Sequence, residues 1–496
     1  MKKHIITIFV SLFIILLTAN QGYSQRTNLS LKDAIEVAKE QSIRAFMAKH
    51  RFRASYWSFR SYQASYLPFV SVNSTLFNLN RSIAKNNVLE NGQWVEKYAE
   101  STNLNSSVGM SIMQQVPWTG GSIFMRSNLD RVDQLNDDPA TFRSTPISIG
   151  FSQPLFSYNE FKWERKTVPM QYEIAKKTYI ESMEEVTRMT ISNFFNLVSM
   201  SENLKASRKN RDKRDTLYLI ANGRFEMGII DQADKMEMEQ QFLQAANQVI
   251  EDSLRLLVQK ARFNTFMAFD QGLEFNLIYD TVLPIIKLDV AKALELAKEN
   301  GSEVLGWDLS LLNSESSVEQ TKARNRFNAD LNVSYGLNQQ GVDLMDAYQD
   351  PRTSQSVQVS FSVPILDWGR RKGQIKMAES NHERTVIEIN QSKMDFEHNF
   401  YLQVSQFNLM NDLFLLRSKT DSISAIRFEI TMQKYLKGQI DILKLNDAIS
   451  AKDAARRNYI STISSFWSEY YAIRKATLFD FIKGVPLMED YDKIIE

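Results

Sequence analysis

The sequence predicts a mixed protein in which very long α-helices carry a small set of membrane-crossing β-strands. Three observations predict it: an export signal, a tandem repeat with a fixed internal spacing, and six segments of strict apolar–polar alternation. Met1-Lys2-Lys3-His4 is followed by an apolar run from Ile5 to Leu17 and by Gly22-Tyr23-Ser24-Gln25. That is the basic, apolar, small-residue order of a secretory signal peptide. The run is short of the about 20 residues a helical span needs, so residues 1–24 are expected to be removed, with the mature chain starting at Gln25.

The repeat appears in two registers. At an offset of 210 residues, Phe151-Ser152-Gln153-Pro154-Leu155-Phe156 aligns with Phe361-Ser362-Val363-Pro364-Ile365-Leu366, and Arg224–Asp231 falls on Lys434–Asp441 without a gap. Pro154 to Gly228 and Pro364 to Gly438 are therefore both 74 residues. At an offset of 259, Ala34-Ile35-Glu36-Val37-Ala38-Lys39-Glu40 aligns with Ala293-Leu294-Glu295-Leu296-Ala297-Lys298-Glu299. The chain reads as a first repeat over 25–284 and a second over 285–496, with about fifty extra residues in the strand region of the first.

A spacing kept while the residues drift means that both stretches span the same distance. Each is rich in Glu, Lys, Gln, Met and Leu, which favour helix, and at 1.5 Å per residue each would run on the order of 100 Å. Long helices are expected at 158–222, 231–270, 368–434 and 441–482. Phe400, Phe407 and Phe414 recur every seven residues, with Leu197 and Leu204 at the positions that match the last two. Seven-residue spacing marks a seam packed laterally on other helices.

Strands are expected at 69–78, 106–116, 121–131, 145–154, 330–339 and 355–364. Val70, Val72 and Leu76 alternate with Ser71, Asn73 and Thr75, and Val357, Val359, Phe361 and Val363 with Gln358, Ser360 and Ser362. Each is close to the nine to eleven residues with which a tilted strand crosses a bilayer. Alternation alone fits a soluble half-buried sheet as well; the export signal and the small, uncharged polar set favour a barrel wall. Trp118, Tyr158 and Trp368 follow proline corners at the helix-side ends, where interface aromatics would stand. The segments 79–105, 132–144 and 339–354 read as polar outward loops, and Pro117-Trp118-Thr119-Gly120-Gly121 as a tight turn on the helix side.

Composition excludes several functions. Lys plus Arg is 59 against 58 Asp plus Glu, which leaves no field for nucleic acid. No cysteine is present, and the mature histidines are His50, His382 and His398, without the spacing of a metal or nucleophilic site. No cofactor and no enzymatic activity are expected. No stretch after the signal approaches 18 uninterrupted apolar residues, so any crossing must be by strands.

The signal, the duplication, the opening helix Leu31-Lys32-Asp33-Ala34-Ile35-Glu36-Val37-Ala38, the strand end Gln153-Pro154-Leu155-Phe156 and the glycine turns after long helices together resemble the TolC-like outer membrane efflux protein family. The resemblance implies a homotrimer in outer-membrane lipid, with a shared β-barrel continuous with a periplasmic α-helical coiled-coil tunnel. It implies a passive exit duct of a tripartite efflux or type I secretion system, served by a periplasmic adaptor (membrane fusion protein) and an inner-membrane pump. The alternative is a periplasmic coiled-coil adaptor without a pore. Two departures stand out. The extra hairpin would make six strands per protomer instead of the family's usual four, hence 18 or 12 in a trimer, and Asn222-Gly223 is expected to interrupt the first long helix.

The turns at the far ends of the helices, Gly228 with Ile230 and Gly438 with Ile440, are then the expected adaptor grip. Asp231 and Asp441 are either helix N-caps or carboxylates at the tunnel entrance that favour cations; Asp234 three residues after Asp231 resembles a charged capping box.

Overall fold

The computed structural model describes residues 27–90, 92–135, 140–273 and 275–495; the expected signal peptide lies outside them. The helices come in two matched sets. The first half carries α1 (Leu31–Gln41), α2 (Ile43–Ser65), α3 (Glu160–Glu226) and α4 (Gln232–Met267), of 11, 23, 67 and 36 residues. The second carries α5 (Val290–Asn300), α6 (Ser302–Arg324), α7 (Arg370–Leu436) and α8 (Ile442–Thr477), of the same four lengths in the same order.

The chain forms two compact units, one of residues 1–52, 176–301 and 395–496, the other of 53–175 and 302–394. The first, helical unit has a closed core. Phe194, Phe263, Phe407 and Phe466 are fully buried, and Tyr470 nearly so. Phe407 lies 5.2 Å from Phe466 and Phe414 5.7 Å from Tyr459, so the seven-residue seam of α7 packs on α8. The short helices α1 and α5 pack into this core through Ala34, Ala38, Ala293 and Ala297, all fully buried; a side chain of one methyl at spacing four lets a helix approach closely. Two four-residue strands, β1 (Thr27–Ser30) and β6 (Phe275–Ile278), pair in parallel beside it.

A buried ionic chain ties the end of the unit down. Arg474 contacts Glu184 at 3.0 Å and Asp480 at 2.9 Å, and Lys39 reaches Glu184 at 3.2 Å. Asp480 also accepts from the Tyr470 hydroxyl at 2.6 Å and from the backbone N–H of Ile482 and Lys483. Burial pushes the Asp480 carboxyl up, but the Tyr470 hydroxyl and the Arg474 guanidinium outweigh it and hold the carboxyl below its usual range. This segment corrects the expected helix 441–482. Helix α8 stops at Thr477, Leu478 turns left-handed at φ 48°, and β9 (Phe479–Asp480) folds back on β10 (Val485–Pro486) around Gly484.

The second unit is built on one antiparallel sheet of β2 (Phe69–Glu90), β3 (Gln93–Val116), β4 (Gly121–Gln134), β5 (Thr141–Leu155), β7 (Asn328–Gly341) and β8 (Arg352–Ser362), in that spatial order. The added hairpin therefore stands inside the sheet: β3 pairs with β2 on one side and β4 on the other. The row Ile112, Met125, Ile149 and Tyr335 shares one face, and Ser111, Arg126, Ser148 and Gly336 the other. At Gly150 a Cβ would stand 2.2 Å from the Phe124 ring, so only glycine lets that ring lie across the strand. Pro146 falls at a register shift between Ser144 and Ile147, where no ladder N–H is required of it.

The expected loop 79–105 is instead a long hairpin ribbon: the ladder continues to Glu90↔Gln93. Charged residues interrupt its apolar face and hide the strand pattern, but the pair Asn91-Gly92 is a two-residue hairpin signal in the sequence, and Gly92 takes φ 82°. Within the expected loop 339–354, a 3-10 turn at Asp346–Tyr348 buries Ala347, whose carbonyl accepts from the Ser144 hydroxyl.

Candidate functional site

The two tip turns are built alike. Helix α3 ends at Glu226, Gly228 takes φ 75°, its N–H bonds the Phe225 carbonyl at 2.9 Å, and the Ile229 N–H bonds Arg224 at 2.8 Å. Helix α7 ends at Leu436, Gly438 takes φ 70°, its N–H bonds Tyr435 at 2.9 Å, and the Gln439 N–H bonds Lys434 at 3.0 Å. This pair of six-to-one and five-to-two bonds is the Schellman motif. It needs a left-handed residue, which explains both glycines.

Asp231 and Asp441 then cap the returning helices, accepting from the backbone N–H of Asp234 at 2.9 Å and of Lys444 at 3.0 Å. Both carboxylates are exposed, as are Gly228 and Gly438, whereas Ile230 and Ile440 are half-buried. Capping accounts for the aspartates locally and leaves each a lone pair facing solvent. The expected interruption at Asn222-Gly223 does not occur: α3 runs through it. An isolated helical glycine costs about 1 kcal/mol, and fully packed neighbours, Leu217 and Ala221, hold the turn.

One joint behind the tips was not foreseen. Arg214, 9 % exposed, donates to Gln241 of α4 and to Asn446 of α8, placing α3 between them. Beside it Leu217, Phe428, Leu445 and Ala448 form a small core, with the Lys213 and Lys452 ammoniums 3.9 and 4.7 Å from the Phe428 ring centroid. Burial and the neighbouring Lys452 and Lys209 pull the Lys213 amine below its usual range, Glu429 opposing them.

The helices that flank this core are bare on one side. On α4, Met236, Leu243, Ile250 and Leu257 repeat every seven residues and are 58–69 % exposed; on α7, Leu402, Leu409, Leu416, Ile423 and Ile430 repeat likewise and are 41–65 % exposed. Both stripes are readable as heptads, and were masked in the sequence by the more conspicuous phenylalanine seam.

In the sheet unit, Trp118 and Trp368 are almost wholly exposed, at 78 and 89 %. Tyr158 is half-buried, its hydroxyl 2.5 Å from Ser316 of α6, so it fastens a strand exit to a helix. All eleven residues of β8 are exposed, and the outer edges of β2 and β8 have no partner strand among the described residues. Among the described residues no cluster of His, Asp and Glu is arranged to hold a metal ion, and no helix is long and apolar enough to cross a membrane.

Residues 297–477 match the family model described as outer membrane efflux protein. No curated protein sequence matches the chain. Among solved structures, the chain is similar to the Campylobacter jejuni CmeC outer membrane channel, with a TM-score of 0.64 and 13 % identity over 94 % of this chain and 88 % of that one. It is similar to the Vibrio cholerae outer membrane protein VceC (TM-score 0.62, 11 % identity, 92 and 97 % covered). The Neisseria gonorrhoeae MtrE outer membrane channel in its open state gives a TM-score of 0.57 at 12 % identity, with 93 and 90 % covered. The resemblance to TolC-like outer membrane efflux proteins therefore holds in sequence over residues 297–477 and in fold over nearly the whole chain.

Proposed function

We propose that this chain is the outer-membrane channel of a tripartite efflux or type I secretion system: a homotrimer whose sheets share one barrel and whose long helices extend into the periplasm, opened by an adaptor and fed by an inner-membrane pump. The observation that carries the reading is that each unit leaves its outermost elements bare. In the sheet these are the edges of β2 and β8, and in the helical unit the heptad stripes of α4 and α7. An open sheet edge cannot face hydrocarbon. Because strand direction alternates across six strands, β8 of one copy meets β2 of the next antiparallel, and three copies close an 18-stranded barrel. The matched helix lengths support descent of both halves from one duplicated unit.

The chain has no cysteine, so introduced thiols report cleanly. Leu243→Cys or Ile250→Cys combined with Leu409→Cys or Leu416→Cys should yield covalent trimers on oxidation of outer-membrane fractions. A soluble monomer that never crosslinks would defeat the reading. For the tips, Gly228→Trp and Gly438→Trp should leave trimers in the membrane while ending adaptor crosslinking and transport; normal transport in both would show that the turns are not the grip. Asp231→Asn with Asp441→Asn keeps the caps, so folding should survive while cation selectivity of the reconstituted channel falls. Unchanged selectivity would leave the aspartates as caps alone.

A further inference from the structure

The β2–β3 ladder outruns the rest of the sheet. Strand β4 pairs with β3 only as far as Gln134↔Asn103, whereas β2 and β3 continue through ten further pairs, from Arg81↔Thr102 to Glu90↔Gln93. At about 3.3 Å per residue this is a ribbon of roughly 33 Å. It stands at the end of the sheet away from the Val116–Gly121 turn, hence outside the cell if the channel reading holds, on which this inference rests.

The two faces of the ribbon differ. The one register shift in the ladders of β3, between Thr75 and Asn78, places the extra residue on β2 and not on β3, so the even-numbered residues of β3 keep one side throughout. Trp94, Glu96, Tyr98, Glu100, Thr102 and Leu104 therefore continue the side of Val108, Met110 and Ile112, the lipid-facing side of the proposed barrel. On that face Trp94 and Tyr98 are 72 and 73 % exposed, and Ile83 is 65 % exposed. Two ion pairs share that face, Lys85–Glu96 at 3.2 Å between Trp94 and Tyr98, and Arg81–Glu100 at 2.6 Å on the sheet side of Tyr98, with the Lys85 ammonium 5.6 Å from the Tyr98 ring centroid.

A two-stranded ribbon is marginal alone in water, and bare aromatics on it call for a cover. Hydrocarbon does not suit the ion pairs, and balanced charge does not suit a nucleic acid. Flat rings flanked by fixed charged donors and acceptors suit the apolar faces and hydroxyls of sugar rings. The face continues upward from the lipid-facing wall, where the saccharide of an outer-leaflet glycolipid stands. We propose that the ribbon is a binding site for that saccharide, of the lipopolysaccharide class.

The test uses the purified trimer in detergent with three probes: lipopolysaccharide with a full-length saccharide, lipopolysaccharide truncated to its innermost sugars, and lipid A alone. Native mass spectrometry should show the full-length form binding at least 10-fold more tightly than lipid A. The double variant Trp94→Ser, Tyr98→Ser, and a variant with residues 82–101 replaced by Asn-Gly, should lose that preference while planar-bilayer conductance stays unchanged. Equal binding of all three probes, or a preference that survives in both variants, would overturn the proposal. So would loss of trimer stability in either variant, relative to the wild type, in glycolipid-free detergent, which would assign the ribbon to a neighbouring copy. Absence of any wild-type conductance would instead strike the channel reading.

Discussion

The helical unit and the sheet unit use similar side chains in opposite ways. Phe407 and Phe466 are fully buried among helices, while Phe361, Val359 and Val357 on β8 are 62–72 % exposed. One unit carries its own core; the other has a polar face and an apolar face, and the second is left bare by the described residues. On the proposed channel reading the sheet's apolar residues are left for lipid and neighbouring copies to cover, so the two units should respond to truncation by different amounts.

The sharpest break of that comparison is truncation. Phe407→Ala should cost about 3–5 kcal/mol in unfolding of the detergent-solubilised protein, while Val359→Ala on the open face should cost under about 1 kcal/mol. Equal losses would mean that the sheet hides a protein core. Next comes the buried ionic chain: Arg474→Met strands Glu184 and Asp480 and should cost about 3–5 kcal/mol.

The same chain gives the helical unit an acid response. The folded Asp480 carboxyl lies below its unfolded value near about 3.9, so its contribution is complete above that value and fades as pH falls through the folded one. Unfolding followed downward from about pH 4 should therefore show falling stability, flattened in Asp480→Asn; an unaltered slope would assign the acid response elsewhere.

Smaller effects test the likeness of the two tips. Gly228→Ala and Gly438→Ala should each cost about 1–2 kcal/mol, because both force a Cβ into the left-handed region. Gly223→Ala should stabilise by about 0.5–1 kcal/mol, since it sits inside the last turn of α3 and a Cβ there meets open space. A loss at Gly223 would mean that α3 needs its freedom there and that the tips differ after all.

Much of the helical plan was legible because it rests on local chemistry. A glycine needed for a left-handed turn, an aspartate three residues on, and a proline-to-glycine spacing of 74 residues rich in helix formers are all visible in one dimension. What misled was also local: Asn222-Gly223 looked like a break, and Asn-rich 79–105 like a loop, because propensity is a weak prior that packing and ladder bonds override. Pro169 likewise lies inside α3 without ending it.

By itself the sequence determined the repeat, the matched long helices, the tip chemistry and the alternation of the strands, since each follows from backbone preference or from the period of side chains along one element. Only the tertiary structure decided that all six strands join one sheet, that β2 and β3 outrun it, that Arg214 joins three helices, and that Asp480 ends α8 by turning back to Arg474. Those depend on which distant residues meet, and the energy that selects them, burial and pairing across tens to hundreds of positions, leaves no period in the chain to read.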